Sequence, residues 1–148
     1  MNHAAIAILG SIFFVGVTWL VTLNFLAWAG GWQRLARAYP APTNWNGRQL
    51  RAFWIKVGWV DYNGCLNYGV DAEGLRIALW PIFSTGHAPL YIPWSEMRVE
   101  AVKKQFGRRG QVVRLAIGDP VIATICVPEA VFEMGKAALG QASAEAST

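Results

Sequence analysis

The chain reads as one N-terminal transmembrane α-helix followed by a small, mostly-β domain. Seven strands are expected to form a partly open barrel that a C-terminal α-helix caps. Three observations predict this. No Asp, Glu, Lys or Arg occurs between Ala4 and Gln33. Between Leu50 and Val127, short aromatic and β-branched runs alternate with Gly, Pro, Asn and Asp turn signals. After Pro128, apolar residues recur at helical spacing. The divisions that follow are 1–33 anchor, 34–47 juxtamembrane segment and linker, 48–140 β domain, and 141–148 disordered tail.

The first segment is long enough for the hydrocarbon layer, which is about 30 Å thick and is crossed at about 1.5 Å per helical residue. Thirteen Leu, Ile, Val and Phe side chains lie between Ile6 and Leu26. At about −0.3 to −0.6 kcal/mol each they favour insertion by about −4 to −8 kcal/mol, which Ser11, Thr18, Thr22 and Asn24 do not overturn. Trp28 and Trp32 fall at the C-terminal end, where indoles prefer the headgroup layer. A cleaved signal peptide would need a basic start and a shorter apolar core, and Met1-Asn2-His3 carries only the α-amino group. A buried soluble helix is seldom apolar on all faces for this length.

Flanking charge sets the direction. Arg34 and Arg37 follow the span directly, with Arg48, Arg51 and Lys56 beyond, and only the α-amino group precedes it. The positive-inside rule places the N-terminus outside and the C-terminal domain in the cytoplasm, at the plasma (inner) membrane of a bacterium. Cys65 and Cys126 sit in apolar runs and read as buried thiols of a reducing compartment, although an extracytoplasmic domain would let them pair.

The elements of the β domain follow in order. Gly30 to Asn46 reads as an interfacial turn of helix and then a linker, because Pro40 and Pro42 stop the helix. Ala52 to Val60 is a strand, and Asp61-Tyr62-Asn63-Gly64 supplies an Asn-Gly hairpin turn. Cys65 to Val70 and Leu75 to Trp80 are strands joined by Asp71-Ala72-Glu73-Gly74. Pro81 to Pro89 breaks regularity before Leu90 to Trp94 resumes an extended run. Met97 to Phe106 turns at Phe106-Gly107-Arg108-Arg109-Gly110 into Val112 to Ile117, which pairs through Gly118-Asp119-Pro120 with Val121 to Val127. Pro128 opens the last helix, Val131, Phe132, Met134, Ala138 and Leu139 give it an apolar stripe, and Gly140 ends it. A meander this small cannot bury both faces of a flat sheet, so it curls into two near-orthogonal layers.

This order resembles the pleckstrin-homology superfold, including its bacterial and GRAM-like forms. The most specific stretch is Pro89-Leu90-Tyr91-Ile92-Pro93-Trp94-Ser95-Glu96-Met97, similar to the I-P-x-x-x-I step by which such domains enter their central strands. The resemblance covers residues 48–139 and implies an interaction domain without fixing its ligand. Members that bind inositol phosphates carry a basic cluster in the first hairpin. Here the turn Asp61-Tyr62-Asn63-Gly64 holds an acid and no cation, which argues against phosphoinositide recognition.

Reactive groups are few. His3 and His87 are the two imidazoles, and a Ser84–His87 or Cys–His pair has no supporting motif. Cys65 and Cys126 lack the companions that close a tetrahedral metal site. Asp61, Asp71, Glu73, Asp119 and Glu129 fall at turns and a helix start, where carboxylates accept backbone hydrogen bonds. Phosphate-cradling glycine motifs are absent. The expectation is a non-enzyme with no catalytic residue, no cofactor and no metal.

Three surfaces remain for binding. Lys103, Lys104, Arg108 and Arg109 put four cations on one hairpin, where anionic phospholipid is attracted by about 1 kcal/mol per basic residue. Trp80, Ile82 and Phe83 stand beside prolines in a loop that folds on the core or meets a partner. Asn24, with Thr18, Thr22 and Gly16, offers a neighbouring membrane helix polar contact and close approach. The net charge of +4 is too small an excess for nucleic acid. The expected role is an accessory or assembly subunit of a membrane protein complex, held by the helix and the β domain, with an anionic-lipid sensor as the alternative.

Overall fold

The computed structural model describes residues 2–50, 54–104 and 110–146. Helix α1 spans His3–Ala29, and its apolar side chains face outward on every side: Ile12, Phe13, Phe14 and Val15 are all more than three-fifths exposed. It is long and apolar enough to cross a membrane. Only its last third is covered. Leu23, Ala27 and Gly30 are buried at helical spacing, forming one stripe against the β domain.

The chain breaks at Gly31, whose φ of +90° suits glycine, and restarts as α2, Trp32–Ala38. Of the stretch expected as a turn of helix and then a linker, the helical part packs into the domain, while 40–47 is mostly exposed. Trp32 and Leu35 are fully buried, so Trp32 is a core residue rather than a headgroup-layer indole like the exposed Trp28. Pro40 bridges Leu90, and the Tyr39 carbonyl accepts from the Tyr91 N–H. An apolar face on α2 and an indole with a carbonyl to bind outweigh the polar composition of the stretch.

Nine strands follow among the described residues, where seven were expected. They are β1 Arg48–Leu50, β2 Trp54–Val57, β3 Val60–Asn63, β4 Leu66–Val70, β5 Gly74–Leu79, β6 Leu90–Pro93, β7 Met97–Lys104, β8 Gln111–Ile117 and β9 Ala123–Pro128. One sheet has the order β1-β4-β5-β6 and the other β3-β2-β9-β8-β7, with every named pair antiparallel. They do not join into a closed barrel among the described residues. The count differs because the first hairpin is shared between the sheets. Arg48 faces Val70 in one sheet and Trp54 faces Asn63 in the other.

That hairpin turns at Gly58-Trp59, not at Asn63-Gly64. Val57 pairs with Val60, and Gly58 supplies φ +58° at the first turn position, as a two-residue loop of the glycine-first kind requires. Gly64, at φ +71°, instead makes the corner into β4. Ile92-Pro93-Trp94 carries the chain from β6 in one sheet to β7 in the other. Ile55, Val57, Tyr68, Leu75, Ile77, Leu90, Ile92, Leu115, Ile117 and Ile125 fill the interior between the sheets. Helix α3, Glu129–Ala146, buries Val131 there and runs through Gly140 into the expected tail. One interior glycine costs only about 1 kcal/mol, and the alanine-rich residues after it favour helix.

At one end of the four-stranded sheet, Asp71 is a polar hub. Its carboxylate accepts from Tyr91 Oη and Trp45 Nε1, each at 2.7 Å, and from the N–H groups of Glu73 at 2.9 Å and Gly74 at 2.8 Å. Its carbonyl accepts from Trp94 Nε1 at 3.0 Å. Burial pushes the carboxyl up, but the hydrogen bonds, that of Tyr91 foremost, outweigh it and hold its pKa below 3.8. Asp71→Ala is expected to destabilise the detergent-solubilised protein by about 3 kcal/mol in urea, read by tryptophan fluorescence. In the native protein this contribution is present above pH 3.8 and fades as pH falls through the depressed value.

Candidate functional site

The candidate site is the junction between α1 and the β domain, built from three contacts. Gly58 lies against Gly30, where a Cβ at position 58 would come within 2.5 Å of the Gly30 carbonyl oxygen. Trp59 Nε1 donates to the Ala29 carbonyl at 3.2 Å and caps the helix end. The 3-10 turn Pro81–Phe83 climbs the side of α1: the Phe83 and Trp19 rings are 5.6 Å apart, and Trp19 Nε1 donates to the Ile82 carbonyl at 3.5 Å.

Behind this turn stands a buried aromatic cluster. The rings of Trp32, Tyr62 and His87 are each 5.2 Å from the other two, in edge-to-face arrangements. His87 is fully buried. Its Nδ1 lies 3.0 Å from the Thr85 carbonyl, which can only accept, so Nδ1 carries the proton. Nε2 is then the acceptor for the Tyr62 hydroxyl at 2.9 Å. Trp32 Nε1 donates to the Ala88 carbonyl at 2.9 Å. Burial holds the imidazole below its ordinary 6.5 and raises the Tyr62 phenol, so both are neutral. Sequence reasoning left His87 as a loop residue. The available signal was an imidazole inside a charge-free, aromatic loop.

The other predicted residues are dispersed. Asn24 Nδ2 donates to the Leu20 carbonyl of its own helix at 2.9 Å, and a Cβ on Gly86 would lie 2.7 Å from Asn24 Oδ1. Its side chain therefore faces the 81–87 loop of this chain. Thr18 and Thr22 donate to Phe14 and Thr18 carbonyls, and the surroundings of Gly16 are open. Trp80 is 47 % and Ile82 66 % exposed, while Phe83 is partly covered by α1. Lys103 and Lys104 lie on β7, the edge opposite β3 and three strands from β2, about 14 Å at 4.8 Å per strand. Cations on an exposed edge also deter pairing with other chains. Arg108 and Arg109 lie outside the described residues.

A crevice of about 360 Å³ opens between α1 and β3, lined by Trp19, Thr22, Leu26, Asp61, Asn63 and Cys65 among others. No known protein family, curated protein or solved structure matches the chain. The site's chemistry therefore rests on its geometry alone. Both cysteines are free thiols, and burial raises each above the ordinary range, so neither is poised as a nucleophile. Among the described residues no three His, Cys, Asp or Glu converge.

Because the folded state holds His87 neutral, its contribution is complete above pH 6.5 and declines as pH falls below that value. His87→Phe removes this slope and leaves the Tyr62 hydroxyl without its acceptor, at a cost of about 1–3 kcal/mol. Urea unfolding between pH 7.5 and 5.5 is expected to show a falling midpoint for the native protein. The variant should show a lower, flat one.

Proposed function

We propose that this chain is a single-pass membrane protein whose β domain is a non-enzymatic interaction module. It serves as an accessory or assembly subunit of a larger membrane complex. The observation that carries this reading is the exposure of α1: Ile6, Ile8, Leu9, Ile12, Phe13, Phe14 and Val15 cover it on all faces, with no core of its own chain to enter. A helix so clothed is stable in lipid and a liability in water. Arg34 and Arg37, exposed just past the helix, support a cytoplasmic β domain and an outward N-terminus at the plasma membrane.

The domain is read as pleckstrin-homology-like. In support, its first hairpin bends across two sheets, β2 also pairs with β9, Ile92-Pro93 marks the step between sheets, and a C-terminal helix packs on the interior. The turn of that hairpin, Gly58-Trp59, holds no cation, and Lys56, which precedes it on β2, is paired with Asp61. A non-enzymatic role is favoured because His87 engages both ring nitrogens in structural hydrogen bonds and both thiols are protonated.

Purification in mild detergent is expected to recover a stoichiometric membrane-protein partner. A photoreactive side chain at Gly16, on the uncovered part of α1, should crosslink to that same partner in native membranes. A chain that purifies alone and crosslinks only to lipid would overturn the subunit reading.

A further inference from the structure

The Pro81–Phe83 turn touches α1 at a height that can be compared with a bilayer. Trp19, its contact, is sixteen residues beyond His3, the first residue of α1, or about 24 Å at 1.5 Å per residue. The hydrocarbon layer is about 30 Å thick. Any placement in which α1 fills that layer therefore puts Trp19 at or inside its boundary, and tilting the helix moves it deeper. The 81–83 turn, held against Trp19, cannot remain in water.

We infer that Trp80, Ile82 and Phe83 form a wedge seated in the bilayer beside α1, so that the domain meets the membrane through a second, non-spanning element. This rests on the anchor reading above. The occupant of the surface is bilayer lipid, because the wedge is continuous with the apolar flank of α1. Its chemistry fits that layer. Trp80 is the amphipathic kind of ring that prefers the interface, and Ile82 is the most exposed large apolar side chain among the described residues of the β domain. No charged residue occurs from Ile77 to Ser95.

Backbone in lipid must satisfy its polar groups locally, and this turn largely does. The Phe83 N–H donates to the Trp80 carbonyl, the Ser84 N–H and Oγ to the Pro81 carbonyl, and the His87 N–H to the Ser84 carbonyl. Pro81 has no N–H to satisfy. The Ile82 carbonyl accepts from Trp19. The Trp32–Tyr62–His87 cluster holds the base of the loop rigid, so the wedge is presented rather than trailing.

The test uses the full chain in phosphatidylcholine–phosphatidylglycerol vesicles, with Cys65→Ala and Cys126→Ala, and spin labels at Ile82→Cys, Val15→Cys or Glu73→Cys. Collision with oxygen reports lipid, and collision with a nickel chelate reports water. The oxygen-to-nickel ratio is expected above one at positions 82 and 15 and below one at 73. Lipid exposure at 15 with water exposure at 82 overturns the wedge and leaves the anchor standing. Water exposure at both overturns the anchor as well. Low collision with both reagents at 82 means that protein covers the turn, which also overturns the wedge. With both cysteines retained, a diazirine side chain at position 82 gives an independent reading. Phospholipid adducts support the wedge, and adducts with protein or water alone overturn it.

Discussion

The structure depends on one buried indole. Trp32 sits directly after the Gly30-Gly31 break, enters the core with no exposed surface, and binds the Ala88 carbonyl through Nε1. An aromatic side chain buries about 150–250 Å². At about 25 cal/mol per Å² this is worth about 4–6 kcal/mol, an upper bound because the unfolded chain is already partly collapsed. That single insertion converts a connection into a joint. Once Trp32 is fixed, α1 leaves the domain in one direction, Gly30 meets Gly58, and Trp19 meets Phe83. A flexible linker would have made the domain's attitude to the helix a matter of chance.

The joint also explains why some turns were legible in the sequence and others were not. Asx and glycine signals located Asp71–Gly74 and Gly118-Asp119-Pro120 because those turns answer only to their own residues. The choice between Gly58-Trp59 and Asn63-Gly64 for the first hairpin is not local. Both glycines adopt positive φ, so each satisfies the backbone requirement. Gly58 becomes the hairpin turn where the end of α1 lies against it so closely that no Cβ fits. Asn63-Gly64 has the stronger dipeptide signal and becomes a corner. Trp32 failed for a similar reason: near an apolar span, an indole at the membrane surface and one in a core look alike. His87 became interpretable only with Tyr62 and Trp32 around it, from elements distant in sequence. The long helix and most of the strand runs were legible because hydrophobic periodicity and turn residues speak within a few residues.

The four-stranded sheet sorts its polarity along its strands. At the end near α1 lie Leu66, Leu79, Trp80 and Leu90, with Leu66 paired to Leu79. At the other end lie Arg48, Asp71, Glu73 and the tyrosine and tryptophans that bind Asp71. Each end solves its hydrogen-bonding problem differently. The Asp71 end gathers donors around a charge, which requires nearby water to remain inexpensive. The α1 end uses a neutral tautomer, Tyr62 hydroxyl to His87 Nε2 and Nδ1–H to the Thr85 carbonyl, with no formal charge.

That contrast bears on why the domain tolerates an exposed Ile82 and Trp80. In a wholly aqueous protein, a turn with two large apolar side chains outward would be an aggregation hazard, and charged neighbours usually blunt it. Here the neighbouring charges are missing over nineteen residues, from Ile77 to Ser95, while the far end of the same strands is rich in them. Chance exposure of two side chains does not require the hydrogen-bonding beneath them to be charge-free as well. Burial among Trp32 and Tyr62 desolvates His87 by itself, and the membrane proposed above would extend the same low-dielectric surroundings to the turn. On the proposal that α1 spans a bilayer, the uncharged His87 cluster and the apolar turn both suit the same end of the domain.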